Sequence, residues 1–320
     1  MPSRIRPLGL VVALAVGLAA CGVFDGASTA PPASGVASWA PGPAAPLLLT
    51  EVAAATHGDR IYAAGGLDAQ GRAVDAVLVL DVVSQSWSSG PPLPEPIHHS
   101  ALVSTPDGLL LVGGFRADGQ PTADVQRLDP AADRWVAGPG LPEPRAAGAA
   151  AASREGAVYA GGIGPGGVEA AVFRLVGREW TVVGRLPIGR EHLAAATDHD
   201  GRVFVLGGRR GGLDSNQSIV DVIEGDTIRL LGHVPTPRGG VGAFWWPGLG
   251  ACLVGGESPG GTHAQVECID AQGRVTGLPD LALARHGLGV ATLRGAAWVV
   301  LGGARPGLFV SNAVEVLELP

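Results

Sequence analysis

The stretch RIYAAGG, residues 60–66, ends a short apolar run with two adjacent glycines. Such a pair can cradle a phosphate after a strand, or it can let the chain turn where no Cβ fits. The pair recurs after apolar runs, and its six copies begin at Gly65, Gly113, Gly161, Gly207, Gly255 and Gly302. The spacings are 48, 48, 46, 48 and 47 residues. A phosphate-binding fingerprint occurs once and opens a helix, so six evenly spaced copies predict a repeat architecture.

Three other features keep the phase of the glycine pairs. A tryptophan precedes four of the pairs by 26 or 27 residues, at Trp39, Trp87, Trp135 and Trp180. Apolar strands between glycine pair and tryptophan end in an acid, at Asp81, Asp129 and Asp270. A turn, proline-containing in most copies, is closed by an arginine at Arg145, Arg190, Arg238 and Arg285. This combination resembles the kelch repeat over residues 39–320.

The resemblance implies an all-β fold, a six-bladed propeller with four antiparallel strands per blade. The last repeat stops before a tryptophan strand, whereas the first repeat has a surplus one at Trp39. We therefore expect the N-terminal strand to complete the sixth blade and close the ring, which removes the open edge. Alanine-rich stretches 146–153 and 193–199 favour helix by propensity, but they fall where the blades converge. We predict strands there.

The N-terminus predicts export. Arg4 and Arg6 precede an apolar segment, residues 8–20, that is too short to span a bilayer as a permanent helix. It runs into Leu18-Ala19-Ala20-Cys21, which resembles the lipobox of bacterial lipoproteins. The resemblance implies a signal peptide over residues 1–20, an acylated Cys21 that anchors the chain to the membrane, a flexible tether over 21–37 and a propeller over 38–320. An ordinary secretory signal with a chance cysteine is the alternative.

The predicted location is the bacterial cell envelope, at the outer membrane or the periplasmic face. Residue 22 is glycine rather than aspartate, so the inner-membrane retention signal known in enteric bacteria is absent. The formal net charge of −7 disfavours nucleic acid as a partner. We predict a monomeric propeller with no cofactor.

No metal site is predicted either. Copper chemistry of the galactose oxidase kind needs two tyrosines around the axis, whereas Tyr62 and Tyr159 occupy equivalent second-strand positions that belong to the core. No spacing of histidine, cysteine and aspartate indicates zinc.

The arginines provide the first candidate site. In this fold, Arg145, Arg190, Arg238 and Arg285 stand at the start of inner strands, and we expect them to ring the channel mouth. The loops from second to third strand add Arg116, Arg209 and Arg305 to this arginine-lined face. Guanidinium forks suit carboxylates, so acidic peptides, protein partners or anionic saccharides are the predicted ligands. The alternative is structural, because an arginine after the turn can bond neighbouring carbonyls.

A second set of candidates shares this rim and has acid–base chemistry. It comprises Glu51, His98, His99, Glu191, His192 and His286. A Glu–His–Arg cluster at a channel mouth can transfer protons on a sugar acid. Bacterial sialic-acid mutarotases are exported six-bladed kelch propellers, so the resemblance implies a carbohydrate mutarotase or epimerase as the alternative to a binding module. Solvated loop residues are the third interpretation.

Two cysteines, Cys252 and Cys268, fall on adjacent strands of one blade. Outside the cytoplasm they can form a disulfide, and two free buried thiols are the alternative. Taken with the envelope anchor, the sequence favours a binding or scaffolding module over an enzyme.

Overall fold

The computed structural model describes residues 38–129, 131, 133–304 and 309–318. The predicted signal peptide, Cys21, the tether and Arg305 lie outside the described residues. Six antiparallel four-stranded sheets make up the described part of the chain, and each sheet is one blade. The predicted all-β, six-bladed architecture is confirmed.

In blades 1 to 5, the four strands follow chain order from the central channel outward. The strands of blade 1 are Ala53–His57, Arg60–Ala64, Val77–Asp81 and Ser86–Ser89. Those of blade 2 are Ala101–Thr105, Gly108–Val112, Val125–Asp129 and Arg134–Ala137. Those of blade 3 are Ala149–Ala152, Ala157–Ala160, Ala171–Val176 and Glu179–Arg185. Those of blade 4 are Ala194–Thr197, Val203–Leu206, Ile219–Glu224 and Thr227–His233. Those of blade 5 are Gly242–Trp246, Gly250–Val254, Val266–Ile269 and Val275–Leu278.

Blade 6 is completed by the N-terminal end of the described chain. Its inner strands are Gly289–Leu293, Ala296–Val300 and Val314–Glu318, and its fourth strand is Ala40–Pro41. The fourth strand pairs antiparallel with the third, with Ala40 opposite Val316. The expected ring closure is therefore confirmed, and it leaves the third strand of blade 6 paired on both sides.

In the part of the chain that the structure describes, the loops carry three short two-stranded ribbons and one turn of 3₁₀ helix. The ribbons pair Ile97–His98 with Phe115–Arg116, Ile163–Gly164 with Gly167–Val168, and Glu257–Ser258 with Gly261–Thr262, and the 3₁₀ turn is Leu213–Ser215. No helix among the described residues is long and apolar enough to cross a membrane.

The alanine-rich stretches form inner strands, Ala149–Ala152 and Ala194–Thr197, as predicted. The first strands of all six blades line a central channel with a cavity of about 230 Å³. Small side chains are needed around it; for example, a Cβ on Gly148 would lie 2.4 Å from the Tyr159 hydroxyl. Close tertiary packing overrides the helical propensity of alanine there.

Buried apolar clusters fill the interfaces between neighbouring blades. The predicted tryptophans lie at these interfaces. Trp87 of blade 1 donates its indole N–H to the Pro43 carbonyl at 2.8 Å, and Trp135 of blade 2 donates to Pro91 at 3.0 Å. These two indoles thus reach the chain that follows the outer strand of the preceding blade, and each bond ties two blades together.

The glycine pairs turn the chain between second and third strands, as expected from their period. In blades 1 to 5 both glycines have positive φ, such as 60° at Gly113 and 115° at Gly114. A Cβ on Gly113 would lie 2.3 Å from the Arg145 carbonyl of the next blade. The sixth copy is shifted by one residue, because Leu301 (φ 60°) and Gly302 (φ 106°) occupy the two turn positions. Taking Gly302 and Gly303 as the equivalent pair was therefore wrong.

Candidate functional site

Six residues, one from each blade, form a ring at the mouth of the channel. This axial ring comprises Glu51, His99, Ala147, His192, Gly240 and Gly287, each just before the first strand of its blade. All six have left-handed φ between 53° and 64°. Non-glycine residues rarely adopt this conformation, so its repetition at four of them marks an imposed geometry.

Backbone hydrogen bonds connect the axial ring from blade to blade. The His99 N–H donates to the Glu51 carbonyl at 3.2 Å, Ala147 to His99 at 2.8 Å, and His192 to Ala147 at 2.7 Å. The Gly240 and Gly287 amides continue the chain, and Val52 donates to the Gly287 carbonyl at 3.4 Å, which closes the circle. The backbone is therefore satisfied without side chains, so the side chains of the ring project from a fixed frame.

Ionisable side chains crowd this mouth. Glu51 Oε2 lies 3.1 Å from His99 Nε2, and Glu51 Oε1 lies 3.4 Å from His286 Nδ1. Arg209 joins two further carboxylates, donating from Nε to Glu191 at 3.0 Å and from Nη1 to Glu257 at 2.8 Å. We call the group of seven the mouth cluster: Glu51, His99, Glu191, His192, Arg209, Glu257 and His286.

The side chains of the mouth cluster are largely buried, but some of them line a small cavity that opens to solvent. Glu191 and His286 are only 2% and 4% exposed. The cavity has a volume of about 70 Å³, and Glu51, His99 and His192 line it. At roughly 30 Å³ per water molecule, it has room for about two waters. The cavity can hold an ion or the tip of a ligand, whereas a whole sugar ring has to lie above it.

Burial sets the protonation of the mouth cluster. It lowers the pKa of His99 and the pKa of His192, although the Glu51 carboxylate opposes both shifts. Burial lowers the pKa of His98 from 6.5 to about 4. For Glu51, burial raises the pKa, but His99, His286 and His192 together lower it further, so the net pKa lies below its usual value. The lowered pKa of Glu51 depends on positive charge at its histidine neighbours, so this carboxylate and the imidazoles titrate as one coupled group.

The four repeat arginines do not ring the channel mouth, and that expectation was wrong. Arg145, Arg190, Arg238 and Arg285 are all 0% exposed. Their guanidinium groups bond carbonyls of the turns, such as Arg190 Nε to Gly207 at 2.8 Å and Arg238 Nε to Gly255 at 2.7 Å. Their contacts fit the alternative interpretation, in which the arginine bonds neighbouring carbonyls. A ligand at the surface has no access to them in this conformation.

Acidic side chains neutralise these arginines, and those beside Arg190, Arg238 and Arg285 are themselves buried. Arg190 lies 2.9 Å from Asp221, Arg238 lies 2.6 Å from Glu267, and Arg285 lies 2.8 Å from Glu315. Arg145 lies 3.2 Å from Glu143 and 3.6 Å from Glu169. The acids of the first three pairs stand on third strands, so each pair joins the start of one blade to the interior of the same blade.

The remaining predicted residues occupy different environments. Arg116 is half-buried and paired with Glu95 and Asp124. His98 packs on Phe115, with ring centroids 5.4 Å apart, and its Nδ1 lies 2.5 Å from His99 Nδ1. The structure brings Glu51, His99, Glu191, His192, Arg209 and His286 together at the mouth, while His98 and Arg116 flank it.

Sequence reasoning missed Glu257 and the common position of the ring residues. Glu257 directly follows its glycine pair, as Arg209 follows Gly208, so the repeat phase contained the signal. The ring residues are likewise spaced by 48, 48, 45, 48 and 47 residues. Because side chains at these positions differ from blade to blade, no residue pattern marks them.

Three donors of the mouth cluster fit a metal ion. Glu51, His99 and His192 each offer one ligand atom, and these atoms lie within 4.8 Å of one another.

Cys252 and Cys268 face each other on the second and third strands of blade 5 and are joined by a disulfide.

Comparisons with known proteins agree with this architecture. Residues 49–94 match the family model of the Kelch motif. The fold is a six-bladed kelch-type propeller. Among solved structures, the one titled "Structure of YjhT" is similar with a TM-score of 0.72 and 15% sequence identity, over 86% of this chain and 96% of that chain. At that identity the likeness describes the fold alone. No curated protein sequence matches the chain.

Proposed function

We propose that this protein is an envelope-anchored binding module that captures its ligand at the mouth of the propeller. The observation that carries the proposal is the mouth cluster, in which buried ionisable groups surround a small cavity open to solvent. Convergent buried charges in a concave site are a common mark of a binding site, because burying them costs stability that the fold alone does not require.

The charge of the mouth favours a cationic ligand group. Among the described residues, the mouth cluster contains three carboxylates, those of Glu51, Glu191 and Glu257, and one guanidinium, that of Arg209. The repeat arginines that predicted an anionic ligand are sealed and paired. A ligand that presents a positively charged group over the mouth therefore gains Coulomb attraction from the excess of carboxylate.

A protein or peptide ligand fits the dimensions better than a small molecule does. The cavity of about 70 Å³ accepts only the end of a side chain or an ion. The rest of such a ligand would lie on the rim loops around the mouth. Such a site suits a scaffold that binds one anchoring side chain of a larger partner.

The envelope anchor is the second part of the proposal. The lipobox at residues 18–21 implies an acylated Cys21, and a disulfide between Cys252 and Cys268 fits an oxidising compartment. We expect the full chain to fractionate with membranes and the Cys21→Ala variant to be recovered in the soluble fraction. Equal membrane recovery of both chains would contradict the anchor.

The ligand class is tested with oligo-arginine and oligo-glutamate peptides added to the full chain in thermal-shift titrations. We expect the cationic peptide to stabilise the wild type and not the Glu51→Gln variant. Glu155→Gln is the matched control, because it removes an exposed carboxylate from a loop between the first and second strands, away from the mouth. Stabilisation by oligo-glutamate alone, or equal responses of both variants, would overturn this ligand class.

A carbohydrate mutarotase or epimerase is the second candidate. The observation in its favour is the convergence of Glu191, His192 and Arg209, since Glu191 contacts both of the others. A carboxylate beside an imidazole can exchange a proton with a sugar hydroxyl. The test is the rate of anomer exchange of a sialic acid, followed by NMR with the wild type and with Glu191→Gln. No acceleration by the wild type would exclude this candidate.

A further inference from the structure

We propose that Glu51, His99 and His192 form a binding site for a divalent transition-metal ion, with Zn²⁺ as the first candidate, at the axis of the propeller. The inference rests on the proposed function in one respect, because it names a metal ion as the cation held at the mouth. Two imidazoles and one carboxylate are a common ligand set for zinc when one coordination position stays open.

The distances suit a metal with little rearrangement. Zinc bonds of about 2.0–2.2 Å in tetrahedral geometry place the ligand atoms roughly 3.4 Å apart. Glu51 Oε2 and His99 Nε2 are already 3.1 Å apart, and all three donor atoms lie within 4.8 Å of one another. Small rotations of the side chains therefore bring the third ligand to bonding distance.

Neighbouring side chains orient both imidazoles toward the axis. The Nδ1 of His99 faces His98 Nδ1 at 2.5 Å, and the Nδ1 of His192 contacts the Glu191 carboxylate. The Nε2 atom of each ring remains for a metal. In protein metal sites, the second nitrogen of a ligating histidine is usually held in this way, which fixes the ring and raises its basicity.

The backbone holds the three ligands in place. Each comes from a different blade, blades 1, 2 and 4, at the same position of the axial ring. Ala147 of blade 3 separates His99 from His192 in the ring, and the two imidazoles meet edge to face with their centroids 4.7 Å apart. The cavity of about 70 Å³ accommodates the ion with one or two water molecules.

The rest of the mouth cluster supports the ion by charge and by orientation. His286 Nδ1 lies 3.4 Å from Glu51 Oε1, the oxygen that does not face His99. Arg209 holds Glu191 by a hydrogen bond of 3.0 Å, and Glu191 in turn contacts His192. Three protein ligands leave a coordination position toward the open cavity, where a water or an oxygen of the partner can bind.

The test is isothermal titration of the chelator-treated full chain with Zn²⁺ alone. We expect one ion per chain, and at least 100-fold weaker binding in His99→Gln and in His192→Gln. Glu191→Gln, which acts through His192, should weaken binding by about 10–100-fold. His199→Gln is the matched control, because His199 is an exposed histidine, 76% exposed as a side chain, in the loop between the first and second strands of blade 4.

Binding to the wild type that is no tighter than binding to the His99→Gln and His192→Gln variants would overturn the proposal. If these variants do not fold, Co²⁺ added to the wild type decides, because tetrahedral nitrogen and oxygen ligation gives an intense visible absorption. A wild-type chain without that absorption and without Zn²⁺ binding has no such site. If the wild type binds no Zn²⁺ but is stabilised by oligo-arginine, the metal site is wrong and the proposed binding function is supported. If it binds Zn²⁺ but does not respond to either peptide, the metal site is supported and the proposed peptide ligand is wrong.

Discussion

Arg190 and Asp221 form an ion pair in which both side chains are fully sealed from solvent, with Nη2 and Oδ2 2.9 Å apart. Burial lowers the pKa of Arg190 and raises the pKa of Asp221, and the attraction between them opposes both shifts. The same arrangement recurs in Arg238–Glu267 and Arg285–Glu315. In blades 4 to 6 the repeat arginine is therefore half of an internal ion pair that joins the start of the blade to its third strand.

Removing one partner of the Arg190–Asp221 pair should lower the unfolding free energy much more than removing both partners. Arg190→Met leaves the Asp221 carboxylate buried without its counter-charge, which costs about 3–5 kcal/mol of unfolding free energy. The double variant Arg190→Met/Asp221→Leu should recover a large part of that loss. Denaturant unfolding of the two single variants and the double variant measures this. A double variant no more stable than the weaker single variant would contradict the account.

The glycine turn gives a second prediction. Gly113→Ala places a Cβ 2.3 Å from the Arg145 carbonyl at a φ of 60°. The left-handed conformation alone costs an alanine roughly 1–2 kcal/mol, and the overlap with backbone adds to it. Gly277→Ala is the control, because no atom lies within 4 Å of its added Cβ and its φ is not positive. We expect a clear loss of thermal stability for Gly113→Ala and none for the control.

The disulfide of blade 5 gives a third prediction. Cys252 and Cys268 are 16 residues apart, and closing a loop of that length contributes about 3 kcal/mol. We expect reduction, or the Cys252→Ala/Cys268→Ala variant, to lower the unfolding free energy by that order. A thiol count on denatured, unreduced wild type tests the bond directly. Two reactive thiols assigned to these positions by peptide mapping would show that the bond is absent.

Acid should weaken the fold through His263. Burial lowers the pKa of His263 below 6.5, although its hydrogen bond to Gln265 opposes the shift. The unfolded chain therefore binds a proton below about pH 6.5 that the folded chain resists, so stability rises with pH in that window. The contribution is present above pH 6.5 and is lost as the pH falls.

The measurement is the unfolding free energy between pH 7 and pH 5. We expect a shallower pH dependence in His263→Gln than in the wild type, since the variant lacks the imidazole that titrates in this window. His199→Gln controls for the loss of one exposed histidine. Identical slopes for the wild type and His263→Gln would show that His263 does not contribute.

The sequence predicted the fold well because its signals are local and repeated. Glycine at positions of positive φ and tryptophan on outer strands each answer a backbone or packing need that recurs in most blades. The sixth turn was misplaced because Leu301 adopts a left-handed φ of 60° that a sequence pattern assigns to glycine. Its neighbour Gly303 is needed for a different reason: a Cβ there would lie 2.5 Å from the His286 imidazole.

The site was only partly predictable. Glu51, His99, His192 and His286 were candidates individually, but their convergence depends on ring closure and on the length of each loop. The burial of Arg145 and its equivalents depends on acids some 24 to 31 residues further along the chain, such as Asp221 and Glu267. The carboxylate–imidazole ligand set was missed because its members lie 48 and 93 residues apart, beyond any local metal-binding spacing.

The circle of backbone hydrogen bonds around the mouth has a mechanical consequence. It has no first or last member, so a blade can leave only by breaking the circle on both of its sides. An ion or ligand bound by blades 1, 2 and 4 would connect three members of that circle. It would therefore also oppose the separation of blades that it does not contact. Occupancy of the mouth should thus be felt on the far side of the propeller, as slower amide exchange in the inner strands of blades 5 and 6.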